Sequence, residues 1–355
     1  MTNFTPPAQP DGNLTTSRPR ITWLDSLKGF TIISVIVGHI VGGYKSSGLY
    51  ASYEDVEIIL ARLVYSFHMP LFFLISGFFF SRAYIELDGK VKVDKLKVQL
   101  LDLIAVYVVF SVILVCFYAL LGSHANHSIS FSDLLCIGWK PVSIYWYIHV
   151  LILLYLANVL FVKVKQKVLL VALFLIVGIF SAVIPSSSYT VSVNKFLFFL
   201  PFFYIGTVVH QKHISPNWGM AILGALVAVL LYNIQSPEHA VVTYNVEKII
   251  IALGLCVFFW KAFSSMNWLD NKVLEICGRY CLEIYVIHSF LTAGFRSAFV
   301  ALGVTNFWLS LALNTILSTA LPIIFAMALE RIGLHDLLFR PVRYMRSLMA
   351  SKKPS

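Results

Sequence analysis

Three ionisable side chains lie within the first apolar run of the chain. The segment 23–41 reads WLDSLKGFTIISVIVGHIV and carries Asp25, Lys28 and His39. On a helix, Lys28 and His39 lie about 20° apart around the axis and about 16 Å apart along it. Asp25 precedes Lys28 by one turn and can form an ion pair with it. Because ionisable groups inside a bilayer are costly, this polar stripe predicts a functional site.

The competing interpretation of the stripe is structural. A lysine near a helix end can extend its ammonium to the membrane surface, and a histidine can be satisfied inside a helix bundle. Three polar groups on one stripe favour the functional interpretation.

The composition predicts the elements that hold this stripe. The chain has 355 residues, of which 59% are hydrophobic and 12% are charged, and its mean hydropathy is +0.81. Continuous apolar runs near 20 residues long favour helices over a β-barrel. The predicted fold is all-α, a polytopic integral membrane protein with about ten transmembrane helices. The predicted spans are 21–42, 58–81, 98–121, 142–162, 168–185, 193–210, 218–235, 246–263, 280–301 and 306–330.

The basic residues predict how the chain lies in the membrane. Net charge is +10, and most of the 27 lysines and arginines fall in alternate loops or tails. This bias places both termini in the cytoplasm and indicates membrane orientation, with no nucleic-acid partner. The predicted organisation is a disordered tail over 1–20, a transmembrane domain over 21–330, and a basic cytoplasmic tail over 331–355. The C-terminal tail is expected to lie against anionic headgroups of the cell (inner or plasma) membrane.

The second span contains FHMPLFFLISGFFFSR. His68 falls near mid-depth, and Pro70 should kink the helix beside it. Ser76 and the following glycine permit close helix packing. Arg82 ends the span, where it is either an ordinary interfacial arginine or a two-pronged phosphate ligand.

The fourth and ninth spans add further polar groups. Trp146 and Tyr147 fit an outer aromatic belt at the membrane surface, which we rank ahead of stacking on a sugar ring. His149 follows one turn further inside. In the ninth span Glu283 and His288 are five residues apart, which separates them by about 140° around the helix. These two side chains are therefore expected to point at different neighbours.

Four histidines thus enter one bundle: His39, His68, His149 and His288. Together with acids and a lysine they suggest proton-transfer chemistry. No helix carries a His-x-x-x-His pair, so no metal site is expected. Asp102, nearer the cytoplasmic edge of the third span, is expected to pair with a loop lysine.

Four segments together resemble the acyltransferase family 3 membrane proteins. They are LDSLKGFTIISVIVGH, FHMPLFFLISGFFF, WYIHVLILLYL and RYCLEIYVIHSFL, in the family's order, and the resemblance covers about residues 22–330. The first two are fairly specific. The family's first-helix motif is a basic residue, ten intervening residues and a histidine, positions that Lys28 and His39 occupy. Most members carry arginine at the first position, so Lys28 retains the charge but not the planar fork.

The resemblance implies ten or so helices and an O-acyltransferase that moves an acyl group, most often acetyl, from acyl-CoA to a hydroxyl of a cell-envelope sugar. The chain is similar to the single-domain branch, which acts on surface polysaccharides or lipid-linked sugars. Acetyl-CoA is then a donor substrate, with no permanently bound cofactor. The residues divide into a catalytic set of His39, Lys28 and Asp25; a donor-binding set of Arg82, Lys92, Lys95, Lys97 and Ser76; and an acceptor-binding or supporting set of His68, Trp146, Tyr147, His149, Glu283 and His288.

Two other classes of protein remain. A transporter or flippase for a polysaccharide or lipid-linked sugar would use buried histidines and acids for proton coupling equally well. A purely structural membrane subunit fits less well, because it would not need so many buried ionisable groups. The first-helix pair, together with a basic entrance, favours the enzyme.

Overall fold

The computed structural model describes residues 20–86, 88–121, 131–181, 184, 191–234 and 245–351. The predicted tail over 1–20 therefore lies almost wholly outside the described residues. The structure is helical, and its only β-type pairing among the described residues is one isolated bridge between Ile85 and Val91. The helices are α1 (Thr22–Ser47), α2 (Glu54–Tyr84), α3 (Val93–Leu121), α4 (Trp146–Phe161), α5 (Lys167–Phe180), α6 (Val191–Lys212), α7 (Trp218–Ile234), α8 (Val246–Ser265), α9 (Lys272–Arg279), α10 (Cys281–Ala301), α11 (Phe307–Arg331), α12 (His335–Phe339) and α13 (Pro341–Ser351).

All ten predicted spans contain a helix, and the helices differ in their capacity to cross a bilayer. Among the described residues, seven are long and apolar enough to do so: α1, α2, α3, α4 together with the 3-10 turn before it (Ser143–Phe161), α6, α10 and α11. α5 and α7 are apolar but have only 14 and 17 residues, whereas a span needs about 20. α8 has 20 residues and carries Glu247, Lys248 and Lys261. Over its described residues the chain is thus an all-helical, multi-pass membrane protein with seven candidate spans, and the count of ten and the position of the termini stay predictions.

α1 lies at the centre of the bundle. It packs against α2, α8, α9, α10 and α11, and 72% of its most apolar stretch is buried, against 22% for α11. A helix that is surrounded by protein can carry polar groups that lipid would not tolerate. The fold therefore places the stripe of Asp25, Lys28 and His39 where other helices can meet it.

Glycines permit two of the closest helix contacts. A Cβ on Gly29 of α1 would lie 2.0 Å from the Leu274 carbonyl oxygen of α9, and one on Gly278 would lie 1.9 Å from the Asp25 carbonyl oxygen. Only a residue without a Cβ allows backbones to approach so closely. The short helix α9, which the sequence patterns do not predict, is thereby held against the first turn of α1 beside Lys28.

The same device joins α2 to α6. A Cβ on Gly77 would lie 1.8 Å from the Phe203 carbonyl oxygen, and one on Gly206 would lie 1.9 Å from the Leu74 carbonyl oxygen. The predicted close packing at Gly77 is confirmed. The Thr207 hydroxyl donates to the Gly77 carbonyl at 3.2 Å, which adds a polar link at the crossing.

The part of the predicted basic tail that the structure describes, up to Ser351, is folded. α12 and α13 pack against α3, and the tail is therefore held to the bundle. Asp102 of α3, predicted to pair with a loop lysine, instead lies 3.0 Å from the Arg343 guanidinium of α13. Its Oδ1 also accepts from the Val342 N–H at 2.8 Å. A buried carboxylate at a helix start satisfies amide donors that the helix itself leaves open, so Asp102 anchors α13.

Candidate active site

A basic pocket of about 580 Å³ lies at the end of the bundle where α1 begins. Its walls come from α1, α2, α3, α4 and α9. Of the described residues that line it, Asp25 is the only acidic one, and six are basic: Arg20, Lys28, Arg82, Lys92, Lys95 and Arg279. A pocket with this excess of arginine and lysine over acidic residues is suited to hold phosphate groups.

Asp25 organises the cations of this pocket. The Lys28 ammonium lies 3.5 Å from its Oδ1, so the predicted ion pair forms. The Oδ2 atom of Asp25 accepts a hydrogen bond from Arg20 Nε at 2.5 Å. The Lys28 ammonium also lies 5.3 Å from the centre of the Phe79 ring, a cation–π contact. One nearly buried carboxylate thus positions two cations at the pocket wall.

The structure brings only part of the predicted donor set together. Arg82, Lys92 and Lys95 line the basic pocket, but Lys97, an exposed residue of α3, does not. Ser76 does not line it either: its hydroxyl lies 2.8 Å from the Tyr147 hydroxyl. Tyr147 lines a second cavity, so this hydrogen bond joins Ser76 to that cavity.

This second cavity, the histidine chamber, has a volume of about 250 Å³. His39 of α1 and His68 of α2 line it, with Pro70 beside them. His68 Nδ1 lies 2.5 Å from the Val64 carbonyl oxygen. A carbonyl can only accept, so Nδ1 carries the proton of the neutral ring and Nε2 presents a lone pair.

His288 of α10 stands behind His39. Their ring centres are 5.1 Å apart. His288 is fully buried, and its Nδ1 lies 2.7 Å from the Tyr285 carbonyl oxygen, which fixes the same tautomer as in His68. Its Nε2 is buried without a hydrogen-bond partner among the described residues. Two helices thus present imidazoles of one defined tautomer around His39.

The aromatic pair at the start of α4 faces the protein interior. Trp146 and Tyr147 line the histidine chamber, and Trp146 stacks on Phe199 with ring centres 5.6 Å apart. The neighbouring Tyr145 is fully buried and donates to the Val286 carbonyl at 2.9 Å. The interpretation as an outer aromatic belt is therefore wrong, because these side chains pack between helices.

Two predicted supporting residues lie away from both cavities. His149 is buried, and its Nε2–H donates to the Gly138 carbonyl at 3.0 Å, a contact with the segment before α4. Glu283 accepts from His335 Nε2 of α12 at 2.8 Å. As predicted, Glu283 and His288 point at different neighbours. His149 and Glu283 therefore stabilise helix positions, and neither of them lines the basic pocket or the histidine chamber.

Four basic residues that belong to none of the predicted site sets line the two cavities, and one of them, Arg279, begins the segment RYCLEIYVIHSFL. Arg20 and Arg279 reach the basic pocket from the segments that flank α1 and α10. Lys195 of α6 and Lys248 of α8 line the histidine chamber. The two lysines lie within or beside apolar runs, and that position is the one signal by which the sequence could have revealed them.

A wide cavity of about 810 Å³ continues from His39 towards the other end of α1. His39, Tyr65 and Trp146 line both this cavity and the histidine chamber. Arg296 of α10 adds a cation to its wall and donates to the Gly43 carbonyl at 3.1 Å. His39 therefore stands where the chamber and the wide cavity meet.

Comparisons with known proteins identify the family. The acyltransferase 3 family model, described as an acyltransferase domain, matches residues 21–327. That range covers α1 to α11 except for the last residues of α11, and it includes every residue that lines the three cavities except Arg20.

Curated relatives are distant but nearly full-length. Glucans biosynthesis protein C of Escherichia coli O139:H28 is 25% identical over 362 residues, covering 89% of this chain and 93% of the relative. The proteins of the same name from strains O6:K15:H31 and O157:H7 show the same identity and coverage. No solved structure matches the chain.

Proposed function

This chain belongs to the acyltransferase 3 family, and we propose that it is a membrane O-acyltransferase. It moves an acyl group, most often acetyl, from acyl-CoA on the cytoplasmic side to a hydroxyl of a surface polysaccharide or lipid-linked sugar. The observation that carries the proposal is the placement of α1. One stripe of that helix presents Lys28 to the basic pocket and His39 to both the histidine chamber and the wide cavity.

The basic pocket is suited to the phosphates of the donor. Coenzyme A carries several phosphate groups, and Arg82 with Lys92 and Lys95 supplies fixed positive charge beside Lys28. Guanidinium groups bind phosphate through two parallel hydrogen bonds, which also orients the ligand. A donor held by its phosphates here extends its thioester arm along α1 towards His39, about 16 Å from Lys28 along the helix axis.

His39 is suited to act as the general base. It takes the proton of the acceptor hydroxyl as the oxygen attacks the thioester carbonyl, a new ester bond forms, and the C–S bond breaks. The CoA thiolate leaves and takes up a proton. In a second route His39 itself attacks the thioester and then passes the acyl group to the hydroxyl.

The acceptor enters from the wide cavity. This cavity is large enough for a sugar unit, since ligand sites commonly measure about 300–1,000 Å³, and Trp146 lies at its junction with the chamber. The name of the relatives, which refers to glucan biosynthesis, supports a sugar polymer as acceptor. In this proposal both termini are cytoplasmic and the protein is located in the cell membrane.

The experiment compares purified protein and living cells. Purified protein in detergent should release CoA from acetyl-CoA or a longer acyl-CoA, and surface glycans of a deletion strain should lack an acyl mass that the complemented strain regains. Masses are read by mass spectrometry. Unchanged glycan masses with normal glycan export, and no CoA release, would contradict the proposal. Glycan retained inside the deletion strain would instead indicate the transporter or flippase.

A further inference from the structure

Another charged pocket, the tail pocket, lies between α2, α3 and the C-terminal helix α13. Its volume is about 600 Å³. Arg343 and Arg346 of α13 line it together with Lys95 of α3. Of the described residues that line it, the one acidic residue is Asp94, which is exposed in the first turn of α3. The lining therefore carries more positive than negative charge.

The tail pocket adjoins the basic pocket. Tyr84 of α2 and Lys95 and Gln99 of α3 line both of them, so the two pockets share a wall. The basic pocket is the proposed site of the donor phosphates, and a nucleotide held there has the tail pocket directly beside it. A volume of about 600 Å³ lies within the range of small-molecule sites, which leaves room for a phosphorylated ribose.

A buried carboxylate fixes α13 at this position. Asp102 of α3 is 2% exposed and lies 3.0 Å from the Arg343 guanidinium. Gln99 accepts a hydrogen bond from Nη2 of the same guanidinium. Burying a carboxylate is costly, and a tail that only rests on lipid headgroups does not need such an anchor. The anchor therefore indicates that the position of Arg343 matters, and a guanidinium that is already held loses little freedom when it binds a ligand.

We propose that the tail pocket binds a phosphate group, the ribose phosphate of the donor nucleotide, through Arg343 and Arg346. The proposal rests on the function proposed above, because coenzyme A carries a phosphate on its ribose in addition to its diphosphate. The basic pocket then holds the diphosphate, and α13 holds the ribose phosphate next to it. α13 lies outside the residues that the family model matches, 21–327, so the family match assigns it no role.

The first test measures nucleotide binding and does not depend on turnover. Isothermal titration of the purified full chain compares adenosine 3′,5′-bisphosphate with adenosine 5′-monophosphate, which lacks the second ribose phosphate. Wild type should bind the bisphosphate about tenfold more tightly or better, as expected for hydrogen bonds between charged groups. Arg346→Gln should lose most of this preference. Arg346→Lys should retain part of it, because the charge remains while the planar fork is lost.

A second variant and a matched control accompany Arg346→Gln. Arg343→Lys keeps a positive charge beside the buried Asp102 but loses the fork, so it should also weaken the preference. Arg340→Gln is the control, because Arg340 directly precedes α13, is exposed and lies 3.8 Å from Asp336, outside the tail pocket. It should keep the preference within twofold. Equal losses in Arg340→Gln and Arg346→Gln would overturn the site in favour of general charge.

The second test uses the acyl donor itself. The release of free thiol is measured from acetyl-CoA and from acetyl-3′-dephospho-CoA. Arg346→Gln should raise KM for acetyl-CoA about tenfold and leave kcat, and both constants for the dephospho donor, within twofold of wild type. A merely structural role of Arg346 would change the constants for both donors alike and would overturn the proposal.

An anionic lipid headgroup is the other source of a phosphate at this pocket. Its contribution is measured as the thermal stability of the protein in nanodiscs of phosphatidylglycerol and of phosphatidylcholine. Stabilisation by phosphatidylglycerol should be the same in Arg346→Gln and Arg340→Gln. A loss of that stabilisation in Arg346→Gln alone, with the nucleotide preference intact, would assign the pocket to lipid and overturn the donor phosphate.

The outcomes separate this inference from the proposed function. No preference for the bisphosphate in wild type, or a preference unchanged within twofold in folded Arg346→Gln and Arg343→Lys, would overturn the tail pocket while His39-dependent thiol release continues. A loss of the preference in these two variants supports the pocket even where no acyl donor is turned over. The absence of His39-dependent thiol release from wild type would refute the proposed function instead.

Discussion

The basic pocket and the histidine chamber lie along the same helix but are built in opposite ways. In the pocket, cations are partly exposed and a carboxylate neutralises some of them: the Lys28 side chain is 24% exposed and pairs with Asp25. At the chamber, His68 in its wall and His288 beside His39 are buried, and each is fixed by a carbonyl of its own helix. An exposed cation cluster binds a charged ligand at low desolvation cost, whereas buried neutral imidazoles can exchange protons out of bulk water. Changes in the pocket should therefore affect binding, and changes in the chamber should affect the chemical step.

The largest effect is expected from His39→Gln. Glutamine keeps polarity and approximate size but cannot take a proton, so acyl transfer should fall by about two orders of magnitude or more. The change should appear in kcat with little change in KM for the acyl donor. Transfer to the native glycan, normalised to folded protein, is the measurement.

His149→Gln provides the control for His39. His149 is also a buried histidine, but its Nε2–H donates to Gly138 and it lines neither cavity. Activity should remain within a few-fold of wild type once the yield of folded protein is taken into account. Near-wild-type turnover in folded His39→Gln would remove the distinction between a binding pocket and a reaction chamber.

The second prediction concerns the pocket. Arg82→Ala should weaken acyl-CoA binding by about tenfold or more, since hydrogen bonds between charged groups contribute about 1.5–3 kcal/mol. Isothermal titration with the donor measures this. Lys97→Ala removes a charge from the same end of the bundle but outside the pocket, so it should change the affinity much less. Equal losses in both variants would show that the pocket acts only through general charge.

The third prediction tests whether Lys28 in the basic pocket affects acyl transfer in the histidine chamber. Lys28→Ala should lower acyl transfer by about tenfold, because Asp25 then loses one of its two cationic partners. Lys28→Arg should keep much of the activity, because the charge at the pocket wall is retained. Steady-state kinetics on both variants decides the point, and a Lys28→Arg variant as impaired as Lys28→Ala would contradict a purely cationic role.

Helix geometry explains which parts of this site the sequence predicts. The spacing of Lys28 and His39 places both on one face of any α-helix, whatever surrounds it. The family motif then identifies the same two residues. The same helix geometry predicts that Glu283 and His288 point at different neighbours. These predictions depend only on positions within a single helix.

Contacts between distant segments cannot be predicted from positions within a single helix. Nothing local indicates that His335 reaches Glu283, 52 residues away, or that Arg343 reaches Asp102. The place of Lys195 over the Trp146 ring likewise depends on how α6 packs against α4. The belt interpretation of Trp146 failed for that reason: an aromatic residue near a span end faces lipid or protein depending on packing between helices.

The fourth prediction concerns the packing of α2 against α6. Gly77→Ala places a Cβ against the Phe203 carbonyl at the α2–α6 crossing and should destabilise the fold by about 1–3 kcal/mol, as overpacking does. Gly294→Ala of α10 is the control, because a Cβ there meets nothing within 4 Å. Denaturation in detergent compares the two. Similar stability of both variants would mean that α2 and α6 can move apart at this crossing without loss of stability.

The smallest effect is expected at His335, where α12 attaches the C-terminal helices. The hydrogen bond to the Glu283 carboxylate raises the pKa of His335 above its ordinary value, and burial opposes this. Because the pKa is higher in the folded than in the unfolded protein, the stabilisation is complete below the unfolded pKa of about 6.5 and is lost as pH rises through the folded pKa. Wild type should therefore exceed His335→Gln in thermal stability by a larger margin at pH 5.5 than at pH 9. His213→Gln, which changes an exposed histidine after α6, is the control for the loss of an imidazole as such. A margin for His335→Gln that is the same at both pH values would show that the Glu283 contact does not depend on the imidazolium charge.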